Sequence, residues 1–318
     1  MSLIKDLDSI LTGMNSVAIG GHIRPDGDCV GSTLATYNYL KKYYPNIEVK
    51  LFLQPIQDYF RFLNLSSDIT WDLSEDKVFD LFIVLDCGDA DRLGDSKKYL
   101  EKARHTACID HHVSNSGFAD LEFIYPEASS TCELVYELMD KSKVDKDIAE
   151  CLYVGMVHDT GVFQYSCTSK KTMCYAGELM DKGIDYSKIV NDTFFAKTFN
   201  ENRALGHALD KSRLYLDGKV VSSVFYLSEM EEYGIKPSEL DSVVSNLLRT
   251  KGVEVSIFMY EVAPGELKVS TRSKGKVNVA ELCMRHGGGG HERAAGCSCR
   301  KSYEDGLNEF LDELREQI

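Results

Sequence analysis

Phe79-Asp80-Leu81-Phe82-Ile83-Val84-Leu85-Asp86 is the stretch that decides the fold. Apart from Asp80 it is apolar up to Leu85, and it ends on a carboxylate. Side chains alternate between the two faces of a strand, so a continuous apolar run must be buried on both. That is the condition of a strand inside a parallel sheet covered by helices. The same pattern repeats outward. Residues 16–20, 49–53 and 106–109 read as strands. Residues 30–43, 93–103, 130–140, 147–157 and 171–182 space their apolar side chains as helices do. Strands alternating with helices predict an α/β domain with a parallel sheet and helices on both faces.

A second pattern begins after a long polar helical stretch from about residue 184 to 215, which reads as a connection. Residues 219–226 read as a strand and 237–248 as a helix with Pro237 near its start. Residues 253–262 and 266–272 alternate at period two around Pro264-Gly265, a hairpin signal. A helix at 277–285 ends in glycines, and 303–318 forms an amphipathic helix. The expected organisation is a domain over 1–184, a helical linker over 185–215 and a smaller α/β domain over 216–318 across a cleft.

Composition narrows the class. Of 318 residues, 43% are hydrophobic, enough for a core in each domain. The formal charge of -14 argues against a protein that coats duplex nucleic acid. From Arg249 to Lys301, however, ten Lys/Arg face five Asp/Glu, which suits local grip of a small anion. No apolar run is long enough to span a membrane, and the acidic start (Asp6, Asp8) does not read as a signal peptide. The ten cysteines lack a regular framework and read as reduced thiols of a cytoplasmic protein. Cys297-Ser298-Cys299 and Cys87 read as packed thiols.

Four motifs carry the chemistry. His22-Ile23-Arg24-Pro25-Asp26-Gly27-Asp28 follows the first strand, where Gly27 would let the backbone turn so that His22, Asp26 and Asp28 converge. Asp86 follows the buried strand, Asp110-His111-His112 follows the strand at 106–109, and Asp159 lies in Gly155-Met156-Val157-His158-Asp159-Thr160-Gly161. In open parallel sheets ligands bind beyond the carboxyl ends of the strands, where three of these motifs fall. Taken singly, Asp86 or Asp159 reads as a helix N-cap, His111-His112 as a surface or core pair, and His158 as structural. Together, so many carboxylates and imidazoles in one crevice call for divalent cations. Mixed imidazole and carboxylate ligation suits Mn, Fe, Co or Zn, and two such ions activate water for attack on phosphorus. In the second domain, Gly287-Gly288-Gly289-Gly290-His291-Glu292-Arg293-Ala294-Ala295-Gly296 reads either as a flexible capped loop or, with Arg272-Ser273 upstream, as an anion grip.

Taken in order, His22, Asp26, Asp28, Asp86, Asp110-His111-His112 and Asp159 resemble the motifs of the DHH/DHHA1 phosphoesterase superfamily. Gly288-Gly289-Gly290-His291 with Ala294-Ala295-Gly296 resembles the DHHA1 signature, so the resemblance covers nearly the whole chain. The two-domain length looks like the NrnA type, which cleaves very short oligonucleotides (nanoRNA) to mononucleotides and removes the 3′-phosphate of 3′-phosphoadenosine 5′-phosphate. Phosphodiesterases of cyclic-di-AMP or linear dinucleotides share nearly the same layout and are the alternative. The resemblance implies two manganese ions. One would take His22, Asp26 and Asp86; the other would take Asp28, Asp86, His111 and Asp159, with Asp86 as the bridge. It further implies Asp110 as orienter of the histidines and His112 as the contact to the scissile phosphate. Arg272, Ser273, Gly288, Gly289, Gly290 and His291 would bind substrate. Members of the family are often dimers, so a homodimer is admitted, though no segment reads as its interface.

Overall fold

The computed structural model describes residues 2–3 and 5–318, and the side chains of 5–290 and 292–318. The chain divides into two compact units, Met1–Ala196 and Lys197–Ile318. The first contains six strands: β1 (Ser2–Leu3), β2 (Ser16–Gly20), β3 (Glu48–Phe52), β4 (Leu81–Leu85), β5 (His105–Asp110) and β6 (Leu121–Ile124). They form one sheet in the order β1-β6-β5-β4-β2-β3, and each neighbouring pair is parallel. The apolar run at 79–85 therefore lies centrally, with β4 flanked by β2 and β5.

Both faces of the sheet are covered, as the sequence predicts. Leu81, Ile83 and Leu85 join Val17, Ile19 and Ile109 in a large core shared with helices α2 (Gly27–Tyr43), α4 (Thr131–Leu138) and α5 (Lys146–Asp159), which follow the short α1 (Leu7–Ile10) and α3 (Lys97–Lys102). The alternate residues Phe82, Val84, Ala18 and Cys108 pack on the opposite face against Phe52, Leu93 and Tyr99. Tyr99 stacks on Phe52 with ring centroids 4.5 Å apart. The register pairs Gly20 with Val84 and Leu85 with Ile109. The strands thus end level, and His22, Asp86 and Asp110 leave the sheet along one edge.

Local structure departs from the sequence reading in places. The expected helix at 93–103 is a 3-10 segment, Ala90–Ser96, broken at Gly94 (φ +58°), followed by α3. The long stretch at 184–215 is not one helix. After α6 (Lys170–Met180) come α7 (Tyr186–Val190) and one π-helical turn, Asn191–Phe195, in the first unit. Then α8 (Phe199–Lys211) begins the second, opened by a capping box between Thr198 and Glu201.

The second unit continues with β7 (Arg213–Tyr215), β8 (Val220–Phe225), α9 (Leu227–Tyr233), α10 (Asp241–Leu248), β9 (Val255–Ala263), β10 (Glu266–Ser273), α11 (Val279–Arg285), β11 (Gly289–His291), β12 (Ala294–Cys299) and α12 (Tyr303–Leu314). Its sheet runs β11-β12-β10-β9-β8-β7 and is mixed, with β8 and β9 parallel and the other pairs antiparallel. One face packs against α11 and α12 through Val255, Val269, Leu282 and Phe310. The other packs against α8, α9 and α10 through Val221, Phe225, Ala208 and Leu247. Among the described residues no helix is long and apolar enough to cross a membrane, and all ten cysteines are free.

Candidate metal centre

The centre starts from two backbone turns that aspartate and arginine seldom make. Asp86, the residue after β4, has φ +55°, and Arg24, two residues after His22, has φ +56°. Left-handed backbone of this kind is strained for residues with a Cβ and concentrates at functional sites. Asp86 is buried, its N–H donates to the Ile109 carbonyl at 3.2 Å, and the turn aims its carboxylate across the sheet edge. The Asp86 oxygens then stand 3.5 Å from His22 Nε2, 3.7 Å from His111 Nε2 and 3.6 Å from His112 Nδ1. One carboxylate thus faces all three imidazoles.

His22 also lies 3.7 Å from Asp26 Oδ1. Its Nδ1 sits 2.9 Å from the Ile23 carbonyl oxygen, which leaves Nε2 directed at the carboxylates. Asp26 is the N-cap of α2 and accepts from the N–H groups of Asp28 and Cys29. Gly27 is required here for space rather than for a turn. It sits in the first turn of α2, outside the left-handed region, and a Cβ on it would stand 2.3 Å from the His158 ring. That ring is held by Thr193 Oγ1 at 3.0 Å and lies against Phe60 and Phe194, so His158 supports the loop from below.

On the other side, His111 Nε2 lies 3.0 Å from Asp159 Oδ2 and 3.9 Å from Asp28 Oδ2. Asp159 comes from the last residue of α5 rather than from a strand end or helix start. The chain then passes through Gly161, Val162 and Phe163, all with φ between 55° and 61°. Asp28 is wholly buried, and the first N–H groups of α4 hold both its oxygens: Thr131 N–H donates to Oδ2 at 2.6 Å and Cys132 N–H to Oδ1 at 2.9 Å. Thr131 Oγ1 in turn donates to Asp86 Oδ1 at 3.2 Å. Asp110 is buried between His112 Nδ1 and Asn115 Nδ2, each 2.7 Å away. It turns that histidine rather than pointing at the cluster.

The electrostatics test whether a cation fits. Burial, then the charges of Asp86 and Asp159, push the Asp28 carboxyl well above its ordinary value. Burial likewise lifts Asp159 to about 6, against the pull of His111. Burial opposes protonation of His111 and His22, yet Asp159 carries the first to about 11 and Asp26 with Asp86 carry the second to about 10. Carboxylates that resist ionisation, beside imidazoles that cling to protons, form a site short of positive charge. Divalent cations would supply it. Among the described residues, three groups bring one donor atom from each member within 4.8 Å of the others: His22, Cys29 and Asp86; Asp86, His111 and His112; and Asp28, His111 and Asp159. Of these, Cys29 is a poor donor, because burial pushes its thiol well above the ordinary range.

The sequence reading did not find Thr131, Cys132 or Asn115. A signal for the first two was present: Ser130-Thr131-Cys132-Glu133 has the form of a helix start, and an unpaired helix N-terminus binds anions. Asn115 gave no signal, because only the fold brings it to Asp110.

The residues singled out in the second unit have their own surroundings. Arg272 lies on β10, and its Nη1 donates to the Thr271 carbonyl at 2.9 Å. Ser273 is buried, its Oγ accepting from Gly275 N–H at 3.0 Å and lying 3.5 Å from Glu254 Oε1. The glycine run is not a free loop: Gly289 and Gly290 belong to β11, paired with Gly296 and Ala295 of β12. A Cβ on Gly288 would stand 2.2 Å from the Gly296 carbonyl oxygen, and Gly290 has φ +147°. Close strand packing therefore explains these glycines. The side chain of His291 lies outside the described residues.

Comparison with known proteins identifies the family of both units. Residues 16–156 match the DHH family, N-terminal domain, and residues 217–318 match the DHHA1 domain. The bifunctional oligoribonuclease and PAP phosphatase NrnA of Bacillus subtilis is 30% identical over 292 residues, 89% of each chain. The protein of the same description from Thermus thermophilus is 25% identical over 321 residues, covering 100% of this chain and 94% of that one. The crystal structure of an exopolyphosphatase-related protein from Bacteroides fragilis superposes with a TM-score of 0.90 at 26% identity, covering 97% of this chain and 95% of that one.

Proposed function

This chain belongs to the DHH/DHHA1 phosphoesterase family, and from that premise we propose that it hydrolyses very short oligonucleotides to mononucleotides and removes the 3′-phosphate of 3′-phosphoadenosine 5′-phosphate, with two manganese ions bound. The B. subtilis and T. thermophilus relatives carry both activities in their names. The observation that carries the reading is the single buried carboxylate of Asp86, set within 3.7 Å of His22, His111 and His112. A carboxylate so placed can be shared by two ligand sets: His22, Asp26 and Asp86, and Asp28, Asp86, His111 and Asp159. The mixture of imidazole and carboxylate suits manganese better than magnesium or calcium. When bound, such a pair of ions lowers the pKa of water and neutralises phosphoryl oxygens.

The chain's own groups do the rest. The N-terminus of α4 fixes Asp28, and Thr131 fixes Asp86, so neither carboxylate reorganises as charge develops. Asp110 holds His112 through its Nδ1 at 2.7 Å, which leaves Nε2 as the atom for a phosphate. Asp110 and the neighbouring Asp86 outdo burial and raise the His112 pKa, and the ring is placed to contact the phosphate and pass a proton to a leaving oxygen. In the second unit Arg272, the β11 backbone and His291 would bind a phosphate of the substrate. Ser273 would take part with Arg272 in that binding. A cytoplasmic setting fits the ten free cysteines.

One assay tests the proposal. Protein stripped with a chelator and reloaded with Mn²⁺ is given very short RNAs, a long RNA, 3′-phosphoadenosine 5′-phosphate and cyclic-di-AMP. Cleavage of the short RNAs and release of phosphate from the bisphosphate, both lost in Asp86→Asn, are expected. Rapid turnover of the cyclic compound with little action on short RNA would instead identify a signalling phosphodiesterase, and full activity in Asp86→Asn would overturn the metal centre.

A further inference from the structure

The first unit contains a concavity that the metal centre does not use. It has a volume of about 450 Å³ and opens beside the segment after β3. Leu53, Pro55, Ile56 and Ile69 give it aliphatic walls, and Trp71 gives it an aromatic one. Trp71 is the only tryptophan in the chain and is half-buried. The single cation in the lining, Arg61, has its Nε 2.8 Å from the Asp58 carboxylate. A bare phosphate would thus find a charge already paired. A flat apolar ring would find a surface on which to stack.

The cavity shares its back wall with the loop that carries His22. Leu53 Cδ2 lies 3.3 Å from where a Cβ on Gly21 would stand. The next residue, Gln54, accepts through Oε1 from the Arg24 N–H at 2.8 Å. The Trp71 ring lies 3.9 Å from the position of a Cβ on Gly94, and Ile23 Cγ2 lies 2.6 Å from the same point. Contacts on both sides of His22 therefore reach this cavity. The wall of the cavity is thus packed against the loop that carries His22 and Asp26.

We propose that this cavity is a nucleobase subsite, in which a base adjoining the scissile phosphate stacks on Trp71 against the aliphatic wall, with Arg61 at its rim. The proposal rests on the phosphoesterase reading above. A volume of this order lies in the range of small-ligand pockets. Stacking on one indole tolerates any base, because every base has a π-face, so the subsite favours nucleotides over other phosphate esters without reading sequence. The strained loop at Arg24 links the two places: base in the cavity and phosphate at the metals would be held by one rigid segment.

The sole tryptophan provides a direct test. Its emission is followed in chelator-treated protein while AMP is added, and separately ribose 5-phosphate. AMP should quench or shift the emission saturably, and ribose 5-phosphate should not. Turnover with Mn²⁺ supplies the second arm, using a dinucleotide and the same dinucleotide lacking one base. Trp71→Ala should lower kcat/KM for the full dinucleotide by roughly 5- to 150-fold, the range of base–aromatic stacking. It should leave the abasic one little changed, and Trp71→Phe should recover most of the loss. An emission indifferent to AMP, or an equal loss on both substrates, overturns the subsite. A wild-type protein that cleaves no nucleotide overturns the phosphoesterase reading instead, whatever the emission shows.

Discussion

Thr131 donates its hydroxyl to Asp86 while its backbone N–H holds Asp28, so one residue fixes two proposed ligands. Replacing it with valine keeps the shape and the N–H but removes the hydroxyl. Partners of metal ligands are worth about 10–100-fold in metal affinity or activity. Thr131→Val should therefore raise the Mn²⁺ concentration needed for half activity by about that factor, with the fold retained by circular dichroism. A metal dependence identical to wild type would show that the hydroxyl plays no such part. The example also marks what the sequence could tell at this scale. Asp86 and Asp110 were legible because they end buried strands, and a carboxylate in that position asks for an explanation. Thr131 was not read: the helix start at Ser130-Thr131-Cys132-Glu133 signalled an anion site, but its bond to Asp86 spans 45 residues and leaves no local pattern. Asn115 differs: it lies five residues after Asp110, and the loop after β5 folds it back onto Asp110 and the Cys87 carbonyl, but its residue type is common in turns and gave no hint of that role.

Elements buried on both faces were read most faithfully, because burial writes itself into composition. The strands β2, β4 and β5 lie within a residue or two of their expected limits. By contrast β6, only four residues long and interrupted by Glu122 (Leu121-Glu122-Phe123-Ile124), and the glycine strand β11 carry too short or too weak an apolar signal to be recognised. Helix ends governed by specific caps were also only partly legible, and Glu229 illustrates why they matter. From the first turn of α9 it accepts from the Tyr226 N–H at 2.8 Å, from Lys211 at 2.5 Å and meets His207 Nε2 at 2.8 Å. It thus ties α8 to α9. Burial opposes its ionisation, but Lys211, His207 and the N–H outweigh burial and hold its pKa below the usual value. A depressed carboxylate adds stability that is fully present above its unfolded pKa and disappears as pH falls through the folded one. Glu229→Gln should thus remove about 1–3 kcal/mol at neutral pH, and it should flatten the acid limb of stability below the ordinary glutamate range. Denaturant melts across pH decide this. An acid limb as steep as wild type would assign the loss to packing instead.

The whole molecule carries its charge unevenly. Among the described residues four fully or almost fully buried carboxylates, Asp28, Asp86, Asp110 and Glu133, belong to the first unit, whereas the basic stretch from Arg249 to Lys301 belongs to the second. Each of the four hydrophobic clusters also lies within one unit, so each unit has its own core to melt. Removal of metal should then act on one of them alone. Without cations the first unit must keep its carboxylates ionised against mutual repulsion or protonated against water. With cations at 100 times their dissociation constant, each site adds about 2.7 kcal/mol to the folded state. For a unit of this size that corresponds to roughly 5–10 °C in Tm per site. Calorimetry with excess Mn²⁺ and again with a chelator should show the first unit's transition falling by at least that much while the second stays in place. Asp86→Asn should melt near the chelated temperature and gain little from added metal. An equal fall in both transitions would mean that the units unfold as one. A first transition indifferent to the chelator would remove the ions from this cluster. Asp28, whose carboxyl burial and the charges of Asp86 and Asp159 push well above its ordinary value, would then be left without a compensating positive charge.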